Sequence, residues 1–276
     1  MLTDLHVHLR PDGPDTPAER YFTAANAQRY REVATERGIT DLGVSEHVYR
    51  FTRALEVWDH EYWRESARDD LDAYARFVRE DTDLLLGIEA DFIPGREDRM
   101  AALLEEHEWD YVIGSVHFLG DRAVDYDKYD VWTSGRSADE VWRTYFTWLG
   151  EAAACGLFDL LAHPDLVKVW GAGRPVPEKD PRFYYDLAME KIADSGIAVE
   201  ISTAGLRKPV AEVYPAAALL EMLVDAGNPL VLSSDAHVPE HLGHGYEDAL
   251  AWLADHGVHD LATFRRREVR VEAIAS

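Results

Sequence analysis

A single cysteine, Cys155, stands among 276 residues. An internal disulfide framework is therefore excluded, and a reducing compartment is expected. Lysine is scarce as well, with five, and the basic total of 28 faces 52 acidic residues for a net charge of −24 with histidine neutral. Such an excess repels polyanions, which argues against binding a nucleic-acid polymer or an anionic bilayer; a metal or an arginine cluster can still reverse the field at one site. No run approaches the ~18 apolar residues of a membrane span. The opening Met1-Leu2-Thr3-Asp4 has neither the basic nor the apolar stretch of a secretory signal. Fixed-period repeats and low-complexity tracts are missing too. The expectation is a cytoplasmic protein with one domain over residues 1–276 and no membrane partner. No oligomerisation signal rises above the helical faces that a barrel needs for its own core, so the oligomeric state stays open.

What is present is an ordinary globular balance, 47% hydrophobic and 29% charged, at a length that α/β barrels use as a single unit. Short apolar runs alternate with longer amphipathic stretches. Residues 2–7, 39–45, 84–88, 111–116, 157–162, 197–201 and 230–233 read as strands. Residues 17–37, 71–80, 99–106, 138–154, 182–195, 213–225 and 247–255 read as helices, several stopped by a glycine (Gly38, Gly156, Gly196, Gly227). Alternation of this kind predicts a parallel sheet with helical crossovers. Seven strands without a convincing eighth point to a distorted seven-stranded, TIM-like (β/α)7 barrel; an open doubly wound sheet fits the same alternation. Two connections are long and aromatic, 48–70 with Tyr49, Phe51, Trp58, Tyr62 and Trp63, and 118–137 with Phe118, Tyr126, Tyr129 and Trp132. Their rings either pack on the barrel rim or wall a pocket.

The informative feature is where each strand stops. The seven ends read Asp4-Leu5-His6-Val7-His8, Ser45-Glu46-His47, Gly87-Ile88-Glu89-Ala90-Asp91, Gly114-Ser115-Val116-His117, Leu161-Ala162-His163-Pro164, Glu200-Ile201-Ser202-Thr203 and Ser233-Ser234-Asp235-Ala236-His237. Six of the twelve histidines terminate an apolar run in this way. The others (His60, His107, His241, His244, His256, His259) fall in polar loops or helical stretches, as solvated histidines do. All strand C-termini of a parallel barrel open on one rim, so these side chains converge there. Residues i and i+2 of a strand share a side, which pairs His6 with His8 and Asp235 with His237. Imidazoles and carboxylates together suit zinc, manganese or iron better than magnesium or calcium. Without an ion, a buried rim of such groups is costly to desolvate.

In this order, His6-x-His8, Glu46-His47, Glu89, His117, His163 and Asp235-x-His237 resemble the polymerase-and-histidinol-phosphatase (PHP) family of metal-dependent phosphoesterases. The stretch Ile201-Ser202-Thr203-Ala204-Gly205-Leu206-Arg207-Lys208-Pro209, continuing to Val213-Tyr214-Pro215, is more similar to the histidinol-phosphate phosphatase branch than to the others. The resemblance implies a distorted seven-stranded barrel with two or three divalent ions (Zn, Mn or Fe). It implies a first ion on His6, His8, Glu89 and Asp235, and a second sharing Glu89 and adding His117 and His163. A third would use His47, His237 and a residue of the loop after the first strand. Relatives often have a histidine there; this loop has none, so Asp12 or Asp15 stands in, or the third ion is weak or absent. Glu46 replaces the usual aspartate, and orienting His47 is the role expected of it.

Two metals about 3.5–4 Å apart can clamp a phosphoryl group and activate the attacking water, which favours ester hydrolysis with Asp235, His237 and Arg207 as catalytic residues. A small phosphorylated substrate also needs cations. Arg207 and Lys208 follow the sixth strand directly and are the first candidates, with Lys168 and Arg174 behind them. Given the resemblance, the expected reaction is histidinol phosphate to histidinol and phosphate, with the acidic and aromatic loops meeting the cationic alcohol. The alternatives are a nucleotide bisphosphate or short phosphodiester, or a non-catalytic metal-binding module. Gly171-Ala172-Gly173 lacks a following helix start and is no dinucleotide fingerprint. Ser233-Ser234 forms no nucleophile elbow, and Cys155 reads as a core thiol.

Overall fold

The computed structural model describes residues 1–13 and 15–274. Seven strands run parallel in chain order, each hydrogen-bonded to the next: β1 (Thr3–Asp4), β2 (Asp41–Val44), β3 (Leu85–Asp91), β4 (Tyr111–Ser115), β5 (Leu160–Leu161), β6 (Ala198–Ser202) and β7 (Leu230–Ser233). The ring closes just past β1 and β7, where Val7 bridges Ala236 and the His8 N–H donates to the Ala236 carbonyl at 2.8 Å. Sequential order and this closure rule out the open doubly wound sheet. The helices are α1 (Ala18–Tyr21), α2 (Ala24–Glu36), α3 (Glu61–Ser66), α4 (Leu71–Asp81), α5 (Glu97–Leu104), α6 (Ala138–Ala154), α7 (Arg182–Ser195), α8 (Ala217–Ala226) and α9 (Tyr246–Asp255). No helix among the described residues is long and apolar enough to cross a membrane.

Local chemistry explains several boundaries. The expected helix over 17–37 is broken, because Thr23 is extended and its side chain accepts from the Asn26 N–H to cap α2. Ser137 and Glu140 form a reciprocal capping box that starts α6. Helix α8 begins four residues later than expected, since Tyr214 is tied to Ser202 by two backbone hydrogen bonds and cannot enter a helix.

The barrel interior is packed with Leu5, Leu85, Tyr111, Ile113, Leu160, Ala162, Ala198 and Val231, all buried. Tyr111 fills the middle. Its hydroxyl donates to the Leu5 carbonyl at 2.6 Å, and a Cβ at Gly43 or Gly87 would overlap its ring. The inward row of β3 runs Leu85, Gly87, Glu89 by the two-residue alternation of a strand, so the row that is apolar below ends in a carboxylate at the rim. Row Ala198–Glu200 likewise passes from apolar to carboxylate, and row Tyr111–Ile113–Ser115 ends in a hydroxyl.

A hairpin absent from the sequence-based expectation lies beyond α9, formed by β8 (Asp260–Arg265) and β9 (Glu268–Ala273). Ala262 and Phe264 join the interior cluster and stop the barrel at the end opposite the histidines. The turn is held by Asp110, which receives the Arg266 and Arg267 N–H groups, and by Arg267 paired with Asp159 at 3.0 Å. With this end filled, access is from the strand C-terminal rim.

Candidate metal centre and active site

Four side-chain atoms face one another above the core. His6 Nε2 is 3.3 Å from Glu89 Oε2 and 3.6 Å from Asp235 Oδ1; His8 Nε2 is 3.6 Å and 3.5 Å from the same two oxygens. None of the four has a hydrogen-bond partner outside the histidine–carboxylate cluster. Zinc with nitrogen and oxygen ligands at about 2.0–2.2 Å requires ligand–ligand edges of about 3.3–3.6 Å in a tetrahedron. The donor set and its spacing therefore fit an ion of that size, whereas unpaired buried groups of this kind are otherwise costly.

Glu89 also faces a second cluster. Its Oε1 lies 3.4 Å from His117 Nε2 and 3.3 Å from His163 Nε2, and accepts from the Ser115 hydroxyl at 2.6 Å. His47 contacts Glu89 Oε2 through Nδ1. The rings of His47, His8 and His237 form a stack with centroid spacings of 4.2 Å on each side of His8. Asp12 reaches this group, its Oδ1 being 3.3 Å from His237 Nδ1 and 2.8 Å from Arg50 Nη2. Asp15 lines the cavity without approaching His237 to ion-pair distance, so Asp12 is the better placed of the two loop carboxylates. His6, His8, His47, Glu89, His117, His163, Asp235 and His237, scattered over the whole sequence, are thus brought together in one rim.

Two further carboxylates fix the imidazoles, and sequence reasoning gave them no role. Glu200 Oε1 lies 2.9 Å from His6 Nδ1 and its Oε2 accepts the His163 N–H at 2.7 Å; Asp91 Oδ1 lies 2.8 Å from His117 Nδ1. Each holds the Nδ1 proton and leaves Nε2 free toward the centre, raising the imidazole's basicity. Both stand on inward-facing strand positions near the rim, which marks them as buried carboxylates in the sequence but does not reveal which imidazole each one faces. The backbone is also constrained, since His163 and Asp235 sit at φ 23° and 49°. Left-handed conformations cost a non-glycine residue energy and concentrate at functional sites.

Burial and neighbouring charges separate the imidazoles in proton affinity. Burial, reinforced by His237, lowers His8 to about 4, and burial lowers His47 to about 3. Burial also disfavours the charged form of His117, yet Asp91 and Glu89 outweigh it and carry that imidazole up to about 10. For His6 the balance against burial is tipped upward by Glu200, Glu89 and Asp235. Protons on His6 and His117 thus supply positive charge that a divalent ion would replace.

Glu46 does not orient His47. Its buried carboxylate receives the Leu9 N–H at 2.9 Å, Arg10 Nε at 3.4 Å and Arg50 Nη1 at 3.1 Å, and these arginines overcome burial to hold its pKa at about 2. Its longer side chain is used to tie the loop after β1 to the segment after β2. His60 is not solvated either: it is buried, stacked on Trp58 at 4.1 Å, and its Nδ1 caps α3.

A cavity of about 710 Å³ opens over the rim. Tyr49 and Tyr62 from the first aromatic loop and Phe118 and Tyr126 from the second line it, while Phe51, Trp58 and Trp63 are packed below, so both readings of these loops hold for different rings. Of the expected phosphate-binding cations, only Lys208 lines the cavity. Arg207 is turned toward the backbone, its Nη2 donating to the carbonyls of Ser234 and Asp235 at 2.7 and 3.0 Å. It braces the loop that carries Asp235, because a guanidinium satisfies two carbonyls where the strand ends. Lys168 is held by Asp165 and Glu212, and Arg174 by Asp130 and Asp127. Cys155 lies at the opposite end of β5 from the rim, its thiol directed to the Ala152 carbonyl.

Barrel and rim define the class: a closed parallel β/α barrel with a histidine–carboxylate cluster at its strand C-termini. A family profile described as "PHP domain" matches residues 20–204. The chain belongs to the PHP family. A "Probable histidinol-phosphatase" of Deinococcus radiodurans is 33% identical over 98% of both chains, and a protein of the same description from Schizosaccharomyces pombe is 26% identical over 66% of this chain and 63% of its own. Among solved structures, histidinol phosphate phosphatase from Lactococcus lactis, complexed with Zn, L-histidinol and phosphate, aligns with a TM-score of 0.69 at 19% identity over 98% of each chain. A structure from Listeria monocytogenes aligns with a TM-score of 0.68 at 17% identity, covering 90% of this chain and 98% of its own.

Proposed function

We propose that this chain hydrolyses a phosphate monoester, histidinol phosphate, to histidinol and phosphate in the cytoplasm, and that residues 1–276 act as one catalytic domain. The carrying observation is the set of unpartnered Nε2 and carboxylate atoms around Glu89, spaced 3.3–3.6 Å apart at a cavity floor. The relatives' description supplies the substrate, and the size and lining of the cavity suit it. His6, His8, Glu89 and Asp235 hold a first divalent ion, Glu89 with His117 and His163 a second, and His47, His237 and Asp12 a third. When bound, such ions neutralise the phosphoryl charge and acidify the attacking water.

The chain's own residues perform the remaining tasks. Glu200 and Asp91 keep the Nδ1 protons on His6 and His117, so that Nε2 is the donor atom. Arg207 and the Asp4 carboxylate, which accepts the Ser234 N–H at 2.9 Å, fix the loop from which Asp235 and His237 project. Lys208 supplies a mobile ammonium for the phosphate oxygens at the cavity wall. Asp125, without an ion-pair partner among the described residues, and the rings of Tyr62 and Tyr126 meet the cationic end of the alcohol. Ring faces and a carboxylate both attract such a group.

Phosphate release from histidinol phosphate, a nucleoside bisphosphate and an aryl phosphate tests the reading. A specificity constant for histidinol phosphate at least ~100-fold above the others, abolished by EDTA and restored by Zn²⁺ or Mn²⁺, is expected. Equal turnover of all three, or full activity of the chelated protein, contradicts it.

A further inference from the structure

One cavity-wall side chain has no place in the scheme above. Among the described residues lining the cavity, five have a buried polar atom without a partner; His47, His163, Asp235 and His237 belong to the proposed ion sites, and the fifth is Tyr214, through its hydroxyl. Tyr214 is completely buried. A buried hydroxyl with no acceptor destabilises a fold and calls for a reason. The geometry points to Tyr214 as a catalytic residue whose hydroxyl donates a hydrogen bond to the phosphoryl group of the substrate; this rests on the phosphoester reading given above.

The residue is rigidly placed for such a task. Its backbone is locked to the end of β6 by Ser202 N–H to Tyr214 O at 2.7 Å and Tyr214 N–H to Ser202 O at 2.9 Å. Its ring lies against Gly205, where a Cβ would come within 3.0 Å of Tyr214 Cε2. It meets the His163 ring edge-on at 6.3 Å, and Lys168 Nζ sits 5.5 Å from its centroid. The ring is therefore beside His163 on the cavity wall, held by packing, while its hydroxyl has no partner. Burial, with Asp165, Asp125 and Asp235 nearby, raises its pKa well beyond the ordinary tyrosine value, so it stays a neutral donor. A preorganised donor aimed at developing negative charge is among the more effective contributions a protein makes to such a reaction.

Tyr214→Phe deletes this one oxygen and keeps the ring. Inorganic phosphate titrated calorimetrically into the metal-loaded protein should bind about tenfold more weakly, the loss expected for one hydrogen bond to a charged group. kcat/KM should fall about 100-fold for histidinol phosphate and for p-nitrophenyl phosphate alike, since the contact addresses the group they share. Metal content should be unchanged, and Tm equal to or above that of the unsubstituted protein, because an unpaired hydroxyl has been removed. Phosphate affinity and turnover both within twofold of the original overturn the inference. A loss confined to histidinol phosphate overturns it too, by placing the hydroxyl at the leaving alcohol, and a loss of bound metal does so by making Tyr214 a structural support. If the unsubstituted protein hydrolyses neither ester, the functional reading falls, while the phosphate titration still decides on the hydroxyl.

Discussion

Glu200→Gln perturbs the centre without replacing any proposed ion ligand. The carboxylate accepts from two sites at once, His6 Nδ1 at 2.9 Å and the His163 N–H at 2.7 Å, and so couples both clusters around Glu89. Glutamine has one acceptor oxygen, so one of these bonds becomes a donor facing a donor. A hydrogen bond to a charged group is worth about 1.5–3 kcal/mol, and at about 1.36 kcal/mol per decade its loss corresponds to roughly 10- to 150-fold. Partners of ligand imidazoles give a similar range when mutated, about 10- to 100-fold in metal affinity. Competition with a chromophoric chelator should show Zn²⁺ affinity lowered by that factor. Near-ultraviolet circular dichroism should be unchanged, since the side-chain volume is preserved. An affinity within twofold of the original protein would refute the reasoning, because Glu200 would then be only a buried spectator.

The other expected outcomes concern protons and packing. Because Asp91 and Glu89 raise His117 to about 10, against burial, metal uptake near neutral pH should release protons and tighten as pH rises; calorimetry in buffers of differing ionisation enthalpy measures this, and no proton release contradicts it. The same shift favours the metal-free fold fully below pH ~6.5, and that contribution should fade as pH climbs toward 10, seen as a declining Tm of the chelated protein. Gly87→Ala should prevent folding or lower Tm by more than 10 °C, because Tyr111 cannot withdraw from the barrel centre; a Tm loss under 3 °C would show that the interior is loosely packed.

Much of this architecture was legible because parallel strands place chemistry at their C-terminal ends. The order His6-x-His8 through Asp235-x-His237 needed no tertiary information beyond that rule, and the strand count followed from apolar runs ended by glycine-capped helices such as α7, whose Gly196 lies at φ 63°. The terminal hairpin was not legible. Its two central turn residues, Arg266 and Arg267, adopt φ of 50° and 64°, a turn normally signalled by asparagine and glycine. Tertiary partners, Asp110 and Asp159, hold the turn instead. Strand β9 alternates Val269, Val271 and Ala273 with Glu268, Arg270 and Glu272, yet all six residues are exposed, so the alternation marks no buried face. The partners of the candidate cations were not legible for a related reason: proximity to a strand end does not reveal which group a side chain meets. Arg207 is taken by backbone carbonyls, while Lys168 and Arg174 are taken by nearby carboxylates. The unassigned roles of Glu200, Asp91 and Tyr214 share that cause, since each is defined by what it faces across the barrel.

The central claim is tested most directly by anomalous diffraction at the zinc edge from crystals of protein purified without added metal. Peaks about 2.0–2.2 Å from His6 Nε2, His8 Nε2, Glu89 and Asp235, with a second beside His117 and His163, are the predicted result. A rim with no anomalous signal, even after soaking in Zn²⁺, would contradict it.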